Sequence, residues 1–424
     1  MTVISIINTV LVILLSYFLF VIVLNNTRLF KLTLIFSLLY FIITVLIYNQ
    51  NLSRGFENGI LFGDVYGNYL SDEFRYFEDS KILYNHFINE GFMPLLKGTL
   101  PAWEYIDPHG SPGFGNYNFF VIILALLRLI GFSTIVEFIS FKLLFYPITI
   151  FFLYKIFKLY LTEKTTIISL LVFSSLPGFI LSNTLLMRDN IIFAFIFTTL
   201  YYILSKEHSI IVKTITLIIL LLILLIVRAY LAPILLVTII FCYKNTEKIF
   251  SVRDIIFLII IALALVFFTN FKFTNGQLMI FGGFSDEQIR ILQENFAAMY
   301  GSGISTIFNV FFLTLIHIFY VPPYISFMSS KLLYLIIFSL GNIVTTITSL
   351  IFIPSYLFLI IKNKSKEILY LLKFTFYFTF LSGLILVSKD GYIITRLSLM
   401  WTPLFILIIS IFIENRKCLI NYTK

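Results

Sequence analysis

Two adjacent carboxylates, Asp72 and Glu73, and an arginine beside an aspartate, Arg188-Asp189, are the residues of this chain best suited to chemistry. Paired acids can take a proton from a hydroxyl as general bases. The same two acids, placed in the first turn of a helix, would also stabilise it through its dipole, which is their plain structural role. Met187-Arg188-Asp189 interrupts two apolar runs just after Leu176-Pro177. An ionisable residue at such an edge is a functional candidate, and its plain alternative is an arginine that snorkels or pairs with Asp189. Arg228 and Arg396 repeat the pattern, each followed within a few residues by a proline, Pro233 or Pro403. Guanidinium groups bind phosphate oxygens bidentately, so three at one depth would hold a phosphate or a diphosphate. Lys142, inside an apolar run, and Arg290, in a polar stretch, are further anion-binding candidates, and Asp79 and Asp107 are lesser acid candidates. No Cys/His cluster has zinc-site spacing, so neither a metal nor another cofactor is expected.

The elements that must position these residues are apolar. The chain has 424 residues, 60% hydrophobic and 12% charged, with a mean hydropathy of +1.01, which excludes an ordinary soluble globular protein. Apolar runs of about 20 residues can cross a bilayer as helices. Without strand alternation, a helical bundle is the only way to satisfy the backbone in lipid. The runs predict an all-α polytopic membrane bundle of eleven crossings. They lie at 3–24, 32–48, 134–157, 165–185, 190–205, 210–227, 230–243, 255–269, 333–361, 368–387 and 397–413. The whole chain, 1–424, is expected to form one integral-membrane domain. Cys242 falls in one run and Cys418 in the C-terminal tail, so no disulfide is expected. The first run follows Met1 without a basic segment and is expected to be a retained span rather than a cleaved signal.

Charge orients the bundle. Placing the N-terminus outside puts sixteen of the 30 Lys and Arg in inner segments, and the reverse orientation breaks the positive-inside rule at nearly every loop. The net charge of +9 therefore reflects topology rather than a nucleic-acid partner. The 50–117 stretch holds nine of the 21 acids and nine of the 19 glycines, but only four basic residues. That composition assigns it to the outer face, as part of a first outer loop over 50–133. A second outer loop spans 270–332. The short run 119–130, carrying Arg128, is expected to lie in the outer interface. The run 304–320, ended by Val321-Pro322-Pro323-Tyr324, is expected to be re-entrant or half-buried. After Ser71, a candidate N-cap, Leu70, Phe74, Phe77, Tyr84 and Ile88 recur at helical spacing and predict an amphipathic helix able to lie on the membrane. Ser285-Asp286-Glu287-Gln288 opens a further helix with a capping box, and Gly301 closes it.

The order of these features resembles membrane glycosyltransferases of the GT-C architecture and the Wzy-type polymerases of O-antigen and capsule repeat units. The resemblance rests on Asp72-Glu73-Phe74-Arg75-Tyr76 and on the Gly/Pro-rich approach from Pro108 to Gly115. It continues through the interfacial helix to Gly131, the 174–189 hairpin, and Arg396 ahead of Pro403. Arg290 and Gly301, which enclose ten residues, are also similar to an Arg-x10-Gly pattern of some O-antigen polymerases. The resemblance implies glycosyl transfer on the periplasmic face of a bacterial inner membrane, with undecaprenyl-diphosphate-linked glycan as substrate. It also implies a first-loop acid, Asp72 or Glu73, as base, and a chain-length regulator protein as a possible partner. Apolar runs that continue almost to Ile413 leave no room for a large C-terminal soluble domain, which favours the polymerase over a single-addition GT-C enzyme using a polyprenyl-phosphate sugar. A lipid-linked oligosaccharide flippase is the third alternative; it would call for short loops and, commonly, an inverted repeat, and no such repeat is visible.

Overall fold

The computed structural model describes residues 2–60, 72–106, 113–207, 209–228, 230–243, 304–321, 332–362, 365–390 and 395–422. Among the described residues every regular element is a helix. In chain order these are α1 (Val3–Tyr17, extended by π-helical turns Phe18–Val23), α2 (Thr27–Ser53), α3 (Asp72–Glu90), α4 (Met93–Lys97), α5 (Phe119–Leu129), α6 (Ile135–Lys142), α7 (Phe145–Lys158), α8 (Glu163–Ser175), α9 (Pro177–Thr184), α10 (Asp189–Leu204), α11 (Ile210–Val227) and α12 (Leu231–Tyr243). After a gap in the description come α13 (Ile304–Phe319), α14 (Leu333–Lys362), α15 (Lys366–Asp390), α16 (Thr395–Ser398) and α17 (Thr402–Tyr422).

Among the described residues six helices are long and apolar enough to cross a membrane: Val3–Val23, Thr27–Ser53, Ile135–Lys158, Ile210–Val227, Leu333–Lys362 and Lys366–Val387. The pair α8 and α9 passes the same length and composition test only when taken together, and it is bent by 63°, as a broken span or a re-entrant loop would be. The bend follows from Pro177, which starts α9 and forces Leu176 into an extended conformation (ψ 126°), because the residue before a proline is pushed out of the helical region. The expected runs at 190–205 and 230–243 form helices of only 10–17 residues. The 397–413 run is divided between α16 and α17, neither of which is among the six. The 255–269 run, the 285–301 helix, Arg290, Ser71, Leu70, Asp107 and the Val321-Pro322-Pro323-Tyr324 ending (beyond Val321) lie outside the described residues.

The chain forms two compact units. The first comprises residues 1–158, 166–201 and 323–341. Its core joins Tyr48 of α2, Phe74, Phe77 and Leu83 of α3, Phe120 and Leu124 of α5, Phe138 of α6 and Leu185-Leu186. The face of α3 that its periodicity offers to lipid is therefore covered by protein: Phe74, Phe77 and Phe87 are buried, and only Ile88 is largely exposed. Burying such a face against a second amphipathic helix stabilises it as lipid would, at about 25 cal/mol per Å² of apolar surface. Arg128 of α5 ties the two helices together. Its Nε donates to Ser80 Oγ at 3.0 Å and its Nη2 to the Phe77 carbonyl at 3.1 Å. Its guanidinium also lies 4.4 Å from the Phe77 ring centre and 5.1 Å from that of Phe138. Burial pulls Arg128 down to about 10, a value at which it stays charged at neutral pH.

The second unit comprises residues 159–165, 202–322 and 342–424. In it α15 packs on α12 and α13 through aromatic pairs, Phe241 with Tyr377 (5.8 Å) and Phe311 with Phe380 (4.8 Å). Gly383 allows the close approach of α13, since a Cβ there would stand 3.0 Å from Ile318.

Candidate functional site

Two helix breaks in the first unit create the site. Pro147 has no N–H, and Tyr146 N–H turns to the Leu143 carbonyl (3.2 Å) rather than to that of Lys142. The Lys142 carbonyl is thus left without its helical partner, and Asn190 Nδ2 donates to it at 2.8 Å. The second break lies at 185–188. Leu185 is extended (ψ 154°) and ends α9, so the bonds that a continuing helix would make, from Leu186 N–H to Ser182 and from Asp189 N–H to Leu185, are opened. Opposite charges fill the opened positions. Glu73 Oε1 accepts from Leu186 N–H at 2.5 Å. Lys142 Nζ donates to the Ser182 carbonyl at 3.4 Å and to the Leu185 carbonyl. Tyr48 OH donates a short bond to the same Glu73 oxygen.

Glu73, Lys142 and Asp189 are all buried, at 3%, 0% and 4% exposure. Lys142 lies in the field of both Asp189 and Glu73. Burial pushes Glu73 above the ordinary glutamate range, while the Tyr48 and Leu186 bonds and the Lys142 charge pull it back and Asp72 adds to the rise. Asn183 and Asn190 are also buried, and the Oδ1 of each has no hydrogen-bond partner among the described residues.

The sequence-predicted residues divide accordingly. Asp72 and Glu73 sit in different surroundings: Asp72 is half-buried at the head of α3, and Glu73 is bound into the network. Lys142 is wholly taken up by backbone carbonyls rather than presented to an external anion. Arg188 is half-buried, and its carbonyl accepts from Ile191 and Ile192 N–H, both at 3.1 Å, so that it caps α10 at the end of the bend. Arg228 and Arg396 belong to the second unit. Arg228 ends α11 with its guanidinium 5.2 Å from the Tyr230 ring. Arg396 falls in α16, and its side chain lies outside the description.

Several participants carry no sequence signal. Tyr48 reads as an ordinary span residue, and Asn190 as the edge of an apolar run. A second polar junction holds Glu104, Phe114 and Gly115 on α3. Asp79 Oδ2 accepts from Phe114 N–H (2.6 Å) and Gly115 N–H (3.1 Å). His86 lies between Glu90 (2.8 Å) and Glu104 (2.7 Å). Burial would lower His86, but the two carboxylates outweigh it and raise it above its ordinary value.

Asp79 makes a pH prediction. Burial pushes its carboxyl up from 3.8 to about 6, against the Gly115 and Phe114 bonds and the Arg75 charge, with Glu78 adding to the rise. A carboxyl raised on folding binds its proton more tightly in the native state. Its contribution to stability is therefore largest below about pH 4 and is lost as the pH climbs to about 6. Asp79→Asn removes that titration. The unfolding free energy of the variant relative to the native protein is expected to rise between pH 4 and 6, by on the order of 1–3 kcal/mol, and then stay level. Melting both proteins in detergent across that range checks it, and a constant difference would contradict it.

No protein-family model, curated protein or solved structure matches the chain.

Proposed function

We propose that the chain is a polymerase of a bacterial inner membrane that joins undecaprenyl-diphosphate-linked oligosaccharide repeat units of an O-antigen or capsule on the periplasmic face. The observation that carries the reading is the bond from Leu186 N–H to Glu73, between residues 113 apart in sequence. It brings the acidic head of α3 and the bend bearing Arg188 into one neighbourhood. A carboxylate and a guanidinium that can reach one substrate are what transfer from a diphosphate needs. Asp72 takes the proton of the acceptor hydroxyl. That oxygen attacks the anomeric carbon, and the bond from that carbon to the diphosphate oxygen breaks. Arg188, with the N-terminus of α10 behind it, holds the departing diphosphate. Glu73 shapes the site rather than serving as the base, since it is buried and its Oε1 is engaged by Tyr48 and Leu186.

In this reading the chain keeps the eleven-crossing, GT-C-like layout, with the N-terminus periplasmic and the C-terminus cytoplasmic. The helices too short to pass as full spans complete the count by thinning the bilayer locally or by packing as half-helices. A chain-length regulator protein is the expected partner.

The test is Arg188→Ala. It is expected to lower long-chain glycan by roughly 100-fold or more, the loss typical of removing one group that stabilises developing charge. The protein should still insert, and Arg396→Ala should give the same loss. A normal chain-length ladder from either variant would count against the polymerase. Supplying a polyprenyl-monophosphate sugar in vitro separates the single-addition GT-C alternative, because only that enzyme should consume it.

A further inference from the structure

We infer that Glu73 and Lys142 are positioning residues, which together fix the 185–188 backbone and so set where the Arg188 guanidinium stands. What Arg188 then does rests on the reading above, but the order of the bend is a separate property of the chain.

The break at 185–188 opens a specific set of helical pairs, and the two charged side chains replace them. Leu186 N–H and the Ser182 carbonyl would bond to each other in an unbroken helix. Here Glu73 takes the N–H at 2.5 Å and Lys142 takes the carbonyl at 3.4 Å. The Leu185 carbonyl, which would have received Asp189 N–H, also goes to Lys142. Irregular backbone persists among apolar helices only where protein groups satisfy it. Charge-assisted bonds are about twice as strong as neutral ones, so this pair holds the bend more firmly than two neutral side chains would. Each of the two is itself held. Tyr48 anchors Glu73 from α2, and Asn190 Nδ2 bonds the Lys142 carbonyl at 2.8 Å from α10. The bend is thus tied to α2, α3 and α6, while Arg188 is the residue of 185–188 that remains half-exposed.

The decisive measurement is the mobility of a nitroxide placed on Arg188→Cys in full-length protein carrying Cys242→Ser and Cys418→Ser, in lipid nanodiscs. An ordered bend gives an immobilised spectrum in this parent. Glu73→Gln keeps an oxygen that accepts from Leu186 and Tyr48, and it should leave the spectrum as in the parent. Glu73→Leu removes the acceptor and should shift the spectrum to the nanosecond motion of a loose loop. If Glu73→Leu does not fold, Tyr48→Phe, which removes only the hydroxyl anchoring Glu73, should give a partial shift in the same direction. A spectrum unchanged by Glu73→Leu, or by Tyr48→Phe where that variant is needed, overturns the inference, as does a Glu73→Gln spectrum as mobile as that of Glu73→Leu. The outcome does not depend on the polymerase reading: Arg188→Ala could leave the glycan ladder intact while the nitroxide still reports a clamped bend, and the reverse pair of results would remove the clamp alone.

Discussion

Lys142→Met is expected to destabilise the first unit by about 3–5 kcal/mol, the usual cost of breaking a buried charge arrangement by removing one member. Methionine fills much of the volume, so little of the loss is cavity. It arises because the Ser182 carbonyl loses its donor, at about 1–3 kcal/mol for a buried group left unsatisfied, and the Leu185 carbonyl keeps only the Met187 N–H at 2.8 Å. It also arises because the buried carboxylates of Glu73 and Asp189 lose the cation acting on them. The two contributions can be separated. Glu73→Gln removes one of the facing charges, so the double variant Lys142→Met with Glu73→Gln should be less destabilised than the two single changes added together. A coupling of about 0.5–3 kcal/mol is expected. Thermal or denaturant unfolding of the four proteins in one detergent measures it. A loss below about 1 kcal/mol for Lys142→Met would show that the ammonium is not holding the break.

Gly115→Ala is expected to have an effect of similar size, by a different route. Gly115 has φ +81°, a conformation that alanine adopts only with strain. A Cβ there would also run into the Ala102 carbonyl and come within 2.9 Å of the Trp103 ring. Backbone cannot yield as a flexible side chain can. The 113–118 backbone must therefore move away from Ala102, breaking the Gly115 N–H bond to Asp79 and the Asn116 N–H bond to Ala102 (3.1 Å). A loss of roughly 3 kcal/mol or more is expected, combining strain with two lost bonds. Gly98→Ala is the control. It has φ +69° but nothing within 4 Å of the added Cβ, so its cost should be near 1–2 kcal/mol, that of the left-handed conformation alone. Amide exchange over 98–118 checks both. Equal protection in the two variants would mean that the contact with Ala102 is not a constraint.

The helical nature of the chain was legible because apolar periodicity and length are local properties. The helices of the 119–130 and 304–320 runs start and end within a residue of those runs, and the helix after Ser71 starts at Asp72, since caps and prolines act on their nearest neighbours. The fate of the α3 face was not legible. Its apolar stripe is equally suited to lipid and to another helix, and only the folded chain shows that α5 covers it. The sequence likewise does not show that Arg128 joins α3 and α5 through Ser80, the Phe77 carbonyl and two aromatic rings.

The same division runs through the site. By itself the sequence determined that acids cluster in the polar insert, that a proline breaks the chain before Arg188, and that Arg188 and Asp189 stand between two apolar runs. These follow from residue type and from what proline does to the residue before it. Only the tertiary structure decided which charges are spent on the fold. Glu73 and Lys142 look as available as Asp72 and Arg188 in a string of letters. The reason they differ is that a helix break exposes particular N–H and carbonyl groups, and the side chains that reach them come from helices 40 to 113 residues away.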